Sequence, residues 1–205
     1  MNSNYKKNRE QMAFQLLNVG ERFLDIGCGQ GNLVLQASQK FEEVYGLDSA
    51  TERIRLAQET SKAKGEARIY FQAADAAKGI PFDDAYFDAV SCITTLEHIY
   101  NPVELLKEVR RVLKYRGDFL VIVPNTAYLP RRFCALFGKP PHTSSAAGLM
   151  DGGTLHYFTL GSLTLLLQQE GFKIVKTDNI GRLWFLRGWW KSMLASGLVI
   201  KAIKP

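Results

Sequence analysis

The chain contains few cysteines and no long apolar run, and each shortage excludes a class of protein. Its three cysteines lie far apart among 205 residues and lack metal-ligand spacing, so we expect neither a disulfide framework nor a metal site. The first nine residues are too polar for a signal peptide, and no unbroken apolar stretch is long enough to span a membrane. These features predict a cytoplasmic protein with reduced thiols.

Acidic residues are scarce towards the carboxyl terminus. Residues 125–205 hold 10 Lys or Arg and 3 Asp or Glu, whereas residues 1–124 hold 16 and 17. The formal net charge of +6 therefore comes from the last part of the chain, where it favours an acidic partner or an anionic membrane surface. Zinc spacings and recognition-helix patterns are absent, so no nucleic-acid partner is expected.

Apolar runs and turn signals alternate along the chain, which has 46% apolar residues, enough for one domain over residues 1–205. The pattern predicts seven strands, at 22–26, 43–47, 68–72, 87–93, 118–123, 172–176 and 198–203. Helices are predicted near 9–17, 32–38, 50–64, 103–113 and 162–170. Strands that alternate with helices indicate a doubly wound α/β sheet covered on both faces.

The most informative stretch follows the first predicted strand. Asp25 enters a turn with glycine at every second position, Gly27, Gly29 and Gly31, and the next strand ends in a second acid, Asp48. Glycines let a backbone bend sharply against a ligand, and a strand-end carboxylate can accept both hydroxyls of a ribose. A tight turn without a ligand is the plainer alternative.

The spacing differs from that of a dinucleotide site, which reads G-x-G-x-x-G. The carboxylate of Asp25 would repel a pyrophosphate and attract a cation. The segment 25–31 resembles the first motif, D-x-G-x-G-x-G, of the class I S-adenosylmethionine-dependent methyltransferases, and that cofactor carries a sulfonium and an amino group but no phosphate. The stretches 87–99 and 104–114 resemble the small-molecule branch of the same family. This resemblance implies a Rossmann-like seven-stranded sheet whose last strand is antiparallel.

The resemblance also implies which residues bind the cofactor. Asp25 faces the amino group of the methionine half, Asp48 binds the ribose, and Asp75 accepts from the adenine amino group, although Asp75 could instead cap a helix. The complete predicted cofactor set is Asp25, Gly27, Cys28, Gly29, Gly31, Asp48, Ser49, Asp75, Ala76, Thr94 and Thr95. Cys28 is expected to fill space in the turn and not to act as a nucleophile.

Two histidines are candidates for catalysis. A base is needed only where the acceptor loses a proton, as a hydroxyl does, and an imidazole suits that role. His98 follows the fourth predicted strand, and His156 precedes the helix predicted at 162–170. The alternative interpretation is that His98 packs against or caps the following helix and that His156 stabilises its loop.

Substrate recognition is predicted in two carboxyl-terminal segments. Residues 125–159 form a long insertion, which is typical of a functional loop or lid. Residues 182–191 interleave tryptophan with arginine, which fits an anionic or lipid-linked acceptor or peripheral contact with a membrane, or else an aromatic plug of the core. The part before the first strand is short for the family, which leaves either an open site or one closed by a second subunit in a homodimer.

These features predict methyl transfer to a small-molecule or lipid-linked acceptor, preferably at oxygen. One rival is a methionine-biosynthesis protein of the MetW type, which would bind the cofactor but work through a partner enzyme. A nicotinamide oxidoreductase is a weaker rival.

Overall fold

A computed structural model describes residues 3–138, 153–181 and 191–205, and in this part of the chain seven strands form one sheet. The strands are β1 Gly20–Ile26, β2 Phe41–Asp48, β3 Ile69–Ala73, β4 Phe87–Ile93, β5 Leu113–Pro124, β6 Lys173–Ile180 and β7 Gly197–Ile203. Their order is β3-β2-β1-β4-β5-β7-β6. Neighbours among β1 to β5 pair in parallel, and β7 is antiparallel to both β5 and β6. The predicted Rossmann-like sheet with an antiparallel last strand is confirmed.

Helices connect the strands. They are α1 Ser3–Leu16, α2 Asn32–Ala37, α3 Thr51–Ala63, α4 Pro102–Val112, α5 Leu129–Leu136, α6 Leu160–Gln169 and α7 Lys191–Leu194. Two 3-10 turns, at Ala76–Lys78 and Leu96–His98, follow β3 and β4. None of the helices in the described ranges is long and apolar enough to cross a membrane.

The apolar core lies in two layers, one on each face of the sheet. One layer joins β-strand side chains to α4 and α6, for example Val90 to Leu106 and Leu163. The other joins the opposite faces of the same strands to α1, α2 and α3, for example Phe23 to Val34. Successive strand residues point to opposite faces, so one run of apolar residues supplies both layers.

The structure departs from the sequence-based expectations at three places. β5 begins at Leu113, directly after α4, and not at Asp118, because residues 113–117 extend the strand through a register shift opposite Phe87. A helix, α5, lies within the predicted insertion. α1 is longer than expected, and its last turn is held by Lys40, whose ammonium donates to the backbone oxygens of Phe14 and Leu17 at 2.7 Å each. Residues 139–152 of the insertion lie outside the described residues.

Candidate functional site

A cleft of about 680 Å³ lies at the carboxyl ends of the parallel strands. It is centred where β1 lies between β2 and β4 and the order of the strands reverses. Open α/β sheets bind ligands at this kind of switch point, because the helices on either side of it diverge. Its volume is within the usual range for small-molecule sites.

The glycine turn forms the floor of the cleft. The backbone nitrogens of Gly27 and Cys28 both donate to the oxygen of Leu47, at 2.7 and 2.9 Å, which ties the turn to the end of β2. Gly27 has φ 73° and Gly29 has φ 56°, a left-handed region in which side chains are strained. The backbone therefore lines the cleft directly at these two glycines.

Asp48 is buried at the end of β2, and its carboxylate organises the turn. Its Oδ2 accepts from the nitrogen of Gly29 and its Oδ1 from the nitrogen of Ala50, each at 2.9 Å. The guanidinium of Arg53 lies 3.8 Å from Oδ2. Since each carboxylate oxygen has two accepting sites, these two bonds leave one site on each oxygen for a ligand.

Asp25 is buried at the end of β1, where the hydroxyl of Ser91 on β4 donates to its Oδ1 at 2.5 Å. Burial raises the pKa of Asp25 to about 7, and the negative charges of Glu10 and Asp48 add to that rise while the Ser91 bond opposes it. An ionised Asp25 is therefore costly in the unliganded protein. A positively charged ligand in the cleft would offset this cost.

Two residues of the predicted cofactor set, Gly31 and Cys28, pack closely against other residues of the protein. Gly31 does not line the cleft: it begins α2 with φ 78°, and a Cβ there would lie 2.5 Å from the ring of Phe71. The third glycine thus permits close packing of α2 against Phe71, and its predicted contact with the cofactor stays a prediction that this position does not favour. Cys28 lines the cleft, burial raises the pKa of its thiol, and its sulfur packs against Gly46. These surroundings favour the predicted space-filling role.

The other predicted cofactor residues, Ser49, Asp75, Ala76, Thr94 and Thr95, all line the cleft. Asp75 also caps the first 3-10 turn, since its Oδ1 accepts from the nitrogen of Ala77 at 3.1 Å. The hydrogen bond expected under the capping alternative is therefore present. Thr94 has a left-handed backbone with φ 51°, and its nitrogen donates to the oxygen of Ile122 at 2.7 Å. This strained residue turns the chain at the end of β4 so that Thr95 faces Gly27.

His98 lies at the edge of the same cleft, on the second 3-10 turn. Its Nδ1 is 3.1 Å from the oxygen of Gly153, which can only accept, so Nδ1 carries the proton and Nε2 is left as the acceptor. Nε2 lies 3.8 Å from Oε1 of Glu97. Glu97 is buried, which raises its pKa to about 7, and its Oε2 has no hydrogen-bond partner among the described residues.

His156 is placed differently. Its Nε2 donates to the oxygen of Tyr100 at 3.2 Å, its ring lies beside that of Phe158, and it does not line the cleft. These contacts favour the loop-stabilising alternative, and a catalytic role for His156 stays a prediction. Of the second predicted recognition segment, residues 182–190 lie outside the described residues.

Several cleft residues were missed by the sequence analysis. Arg9 and Glu10 reach the cleft from α1, Arg53 from α3, and Tyr100 and Leu155 from its outer edge. Ser91 does not line the cleft but bonds Asp25, and this partner could have been found because the register of parallel β1 and β4 pairs the two residues. Nothing in the local sequence marks Arg9 and Glu10, whose position depends on how α1 packs.

Comparison with known proteins gives a consistent result. The family described as a methyltransferase domain matches residues 17–159. The chain is 30% identical over 171 residues to the O-methyltransferase rstn1 of Aspergillus nomiae, covering 78% of this chain and 68% of that protein. It is 35% identical over 101 residues to the uncharacterised methyltransferase YcgJ of Bacillus subtilis, covering 49% of this chain and 40% of that protein.

A solved structure extends the similarity over the whole fold. A SAM-dependent methyltransferase from Methanosarcina mazei superimposes with a TM-score of 0.70 at 26% identity, covering 94% of this chain and 96% of that chain. By contrast, the chain spans only 40% to 68% of the length of the first four curated relatives that it matches.

Proposed function

The chain belongs to the class I S-adenosylmethionine-dependent methyltransferase family, and from this premise we propose that it methylates a hydroxyl oxygen of a small-molecule or lipid-linked acceptor. The observation that carries the proposal is the cleft itself, in which two strand-end aspartates flank a glycine turn. The relative from Aspergillus nomiae, which is named an O-methyltransferase, supports oxygen as the acceptor atom. The relatives named above are methyltransferases, and they lend no support to the MetW alternative.

The residues of the cleft fit the cofactor. Asp48 keeps one accepting site on each oxygen, which matches the two hydroxyls of a ribose. Asp25 is a buried carboxylate that would gain from a cationic amino group, and Asp75 is available to an adenine. When bound, S-adenosylmethionine supplies a methyl group on a positively charged sulfur.

The protein's own residues must orient the acceptor and remove its proton. Correct positioning alone can lower a barrier by about 7–11 kcal/mol. We assign the proton to Nε2 of His98, because Nδ1 is already committed to Gly153. Glu97, once ionised, stabilises the resulting imidazolium from 3.8 Å.

Replacing Asp48 with alanine is expected to weaken S-adenosylmethionine binding by about 1–3 kcal/mol, or roughly 5- to 150-fold, because it removes charge-assisted bonds to the ribose. Isothermal titration calorimetry measures this change. Glu52→Ala is the matched control, since Glu52 is an exposed carboxylate in the first turn of α3. Equal affinity of Asp48→Ala and wild type would remove Asp48 from the site.

Replacing His98 with alanine is expected to lower kcat for a hydroxyl acceptor by about 10²- to 10⁴-fold, the usual contribution of a general base, while cofactor affinity stays unchanged. The assay incubates the protein with labelled S-adenosylmethionine and a panel of phenols and catechols, and it detects a mass gain of one methyl group. His156→Ala, which lies outside the cleft, should retain most of the activity. Full turnover by His98→Ala at every pH would exclude His98 as the base.

Cofactor binding without a methylated product from any acceptor or cell extract would favour the partner-dependent alternative.

A further inference from the structure

The α5 helix is oriented with its polar side towards the protein and its apolar side towards solvent. Arg131 anchors it, because its Nη1 donates to the backbone oxygens of Asn125 and Ser196, at 2.5 and 3.3 Å. On the opposite side, Phe133 is 53% exposed and Leu136 is 77% exposed, and Phe137, just after the helix, is 80% exposed.

This orientation is the reverse of the usual one. A helix on the surface of a globular protein normally turns its apolar stripe to the core, yet no residue of α5 is buried. Leu129, Phe133 and Leu136 follow the helical spacing of i, i+4 and i+7, so they share one side. Adjacent large apolar side chains of this kind mark a binding surface.

The charge around this surface indicates what covers it. Arg132 is exposed on α5, next to the apolar side, and α5 carries two arginines and no acidic residue. Aromatic and aliphatic side chains beside arginine suit the boundary between headgroups and acyl chains, where the guanidinium reaches anionic phosphates. We infer that α5 docks on the surface of an anionic lipid bilayer.

The position of α5 relative to the cleft fits this inference. Thr126, which precedes α5, donates from its nitrogen and its hydroxyl to the oxygen of Phe158. Leu155 in the same segment donates to the oxygen of Glu97, next to His98. α5 and the outer edge of the cleft therefore lie at the same end of the sheet. Under the proposed function, which this last step assumes, an acceptor held in the bilayer would meet the cleft from that side.

Vesicle sedimentation tests the docking without cofactor or acceptor, so its outcome is independent of the proposed function. The full chain is mixed with vesicles of phosphatidylcholine and phosphatidylglycerol, or of phosphatidylcholine alone. We expect binding to the anionic vesicles, weakened by salt, and a loss of about tenfold or more in the variant F133S/L136S/F137S, whose substituted side chains are exposed. Arg132→Glu should weaken binding to the anionic vesicles only.

The matched control is V19S/Y115S, because Val19 and Tyr115 are exposed apolar residues next to the starts of β1 and β5, at the other end of the sheet. It should bind vesicles like wild type. Thermal melting checks that both variants stay folded. The inference is wrong if wild type does not sediment with anionic vesicles, or if the control loses as much binding as the α5 variant. It is also wrong if light scattering shows a wild-type dimer that F133S/L136S/F137S converts to a monomer, since a second copy would then cover α5.

Discussion

Replacing Asp25 with asparagine is expected to weaken S-adenosylmethionine binding by about 10- to 150-fold and, at the same time, to stabilise the unliganded protein at pH 8. Asparagine keeps an oxygen that can accept from Ser91 but lacks the charge that burial disfavours. The two effects have one cause, because the ionised carboxylate that attracts a cation is also the group that destabilises the empty cleft. Calorimetric titration measures the first effect and chemical denaturation the second.

The raised pKa of Asp25 determines how the free energy of unfolding depends on pH. The pKa of Asp25 is about 7 in the folded protein and 3.8 in the reference state, so the folded state binds more protons between those values. Asp25 therefore lowers the free energy of unfolding as pH rises from about 4 to 7, by up to roughly 4 kcal/mol, and Asp25→Asn should recover about 1–4 kcal/mol above pH 7. Cofactor affinity should fall as pH drops below 7, because binding must then displace a proton.

Asp118→Asn is the matched control. Asp118 is a buried aspartate on β5 that does not line the cleft, and it is paired with Lys201 at 2.9 Å. Its replacement should lower the free energy of unfolding and leave cofactor affinity unchanged. If Asp25→Asn also destabilises the protein, then the ionised carboxylate of Asp25 does not destabilise the unliganded protein, and this account of Asp25 is wrong.

Replacing Gly27 with valine is expected to abolish detectable cofactor binding. A Cβ at Gly27 would lie 2.0 Å from Oγ1 of Thr95, and φ 73° is strained for any side chain. The added side chain would collide with Thr95, so the walls of the cleft on both sides of the turn would have to move. Titration calorimetry on protein shown by circular dichroism to be folded measures it.

Gly65→Val separates this clash from backbone strain. Gly65 has φ 68°, but nothing lies within 4 Å of a Cβ there, and it is remote from the cleft. It should cost stability and keep affinity. If Gly27→Val does not fold, Gly27→Ala with Gly65→Ala repeats the comparison with a smaller side chain. Retained affinity in a folded Gly27 variant would overturn the assignment of the turn.

The sheet and most of the cleft could be predicted from the sequence because parallel strands end at one edge. A strand that ends in an acid places that acid beside its neighbours, so Asp25, Asp48 and Thr95 come together without any knowledge of distances. Gly31 shows the limit of this reasoning. The sequence does not distinguish a glycine that packs against Phe71 from one that faces the cleft, because the difference depends on tertiary packing.

The residues that were missed depend on tertiary packing. Arg9 reaches the cleft from α1, and the end of that helix accepts hydrogen bonds from Lys40, a contact that the sequence does not indicate. α5 was predicted only as part of an insertion, because a helix of 8 residues with three large apolar positions gives a short and weak periodic signal. The spacing of the sequence does not distinguish His98 from His156 either, and only the structure shows that His98 lines the cleft whereas His156 does not.

A crystal structure with S-adenosylhomocysteine tests the central claim most directly. The account predicts a nucleoside in the cleft, with its two ribose hydroxyls within hydrogen-bonding distance of Oδ1 and Oδ2 of Asp48 and its amino group on the side of Asp25. A ribose bound away from Asp48, or a cleft that stays closed to this ligand while the protein binds a nicotinamide dinucleotide in solution, would contradict it.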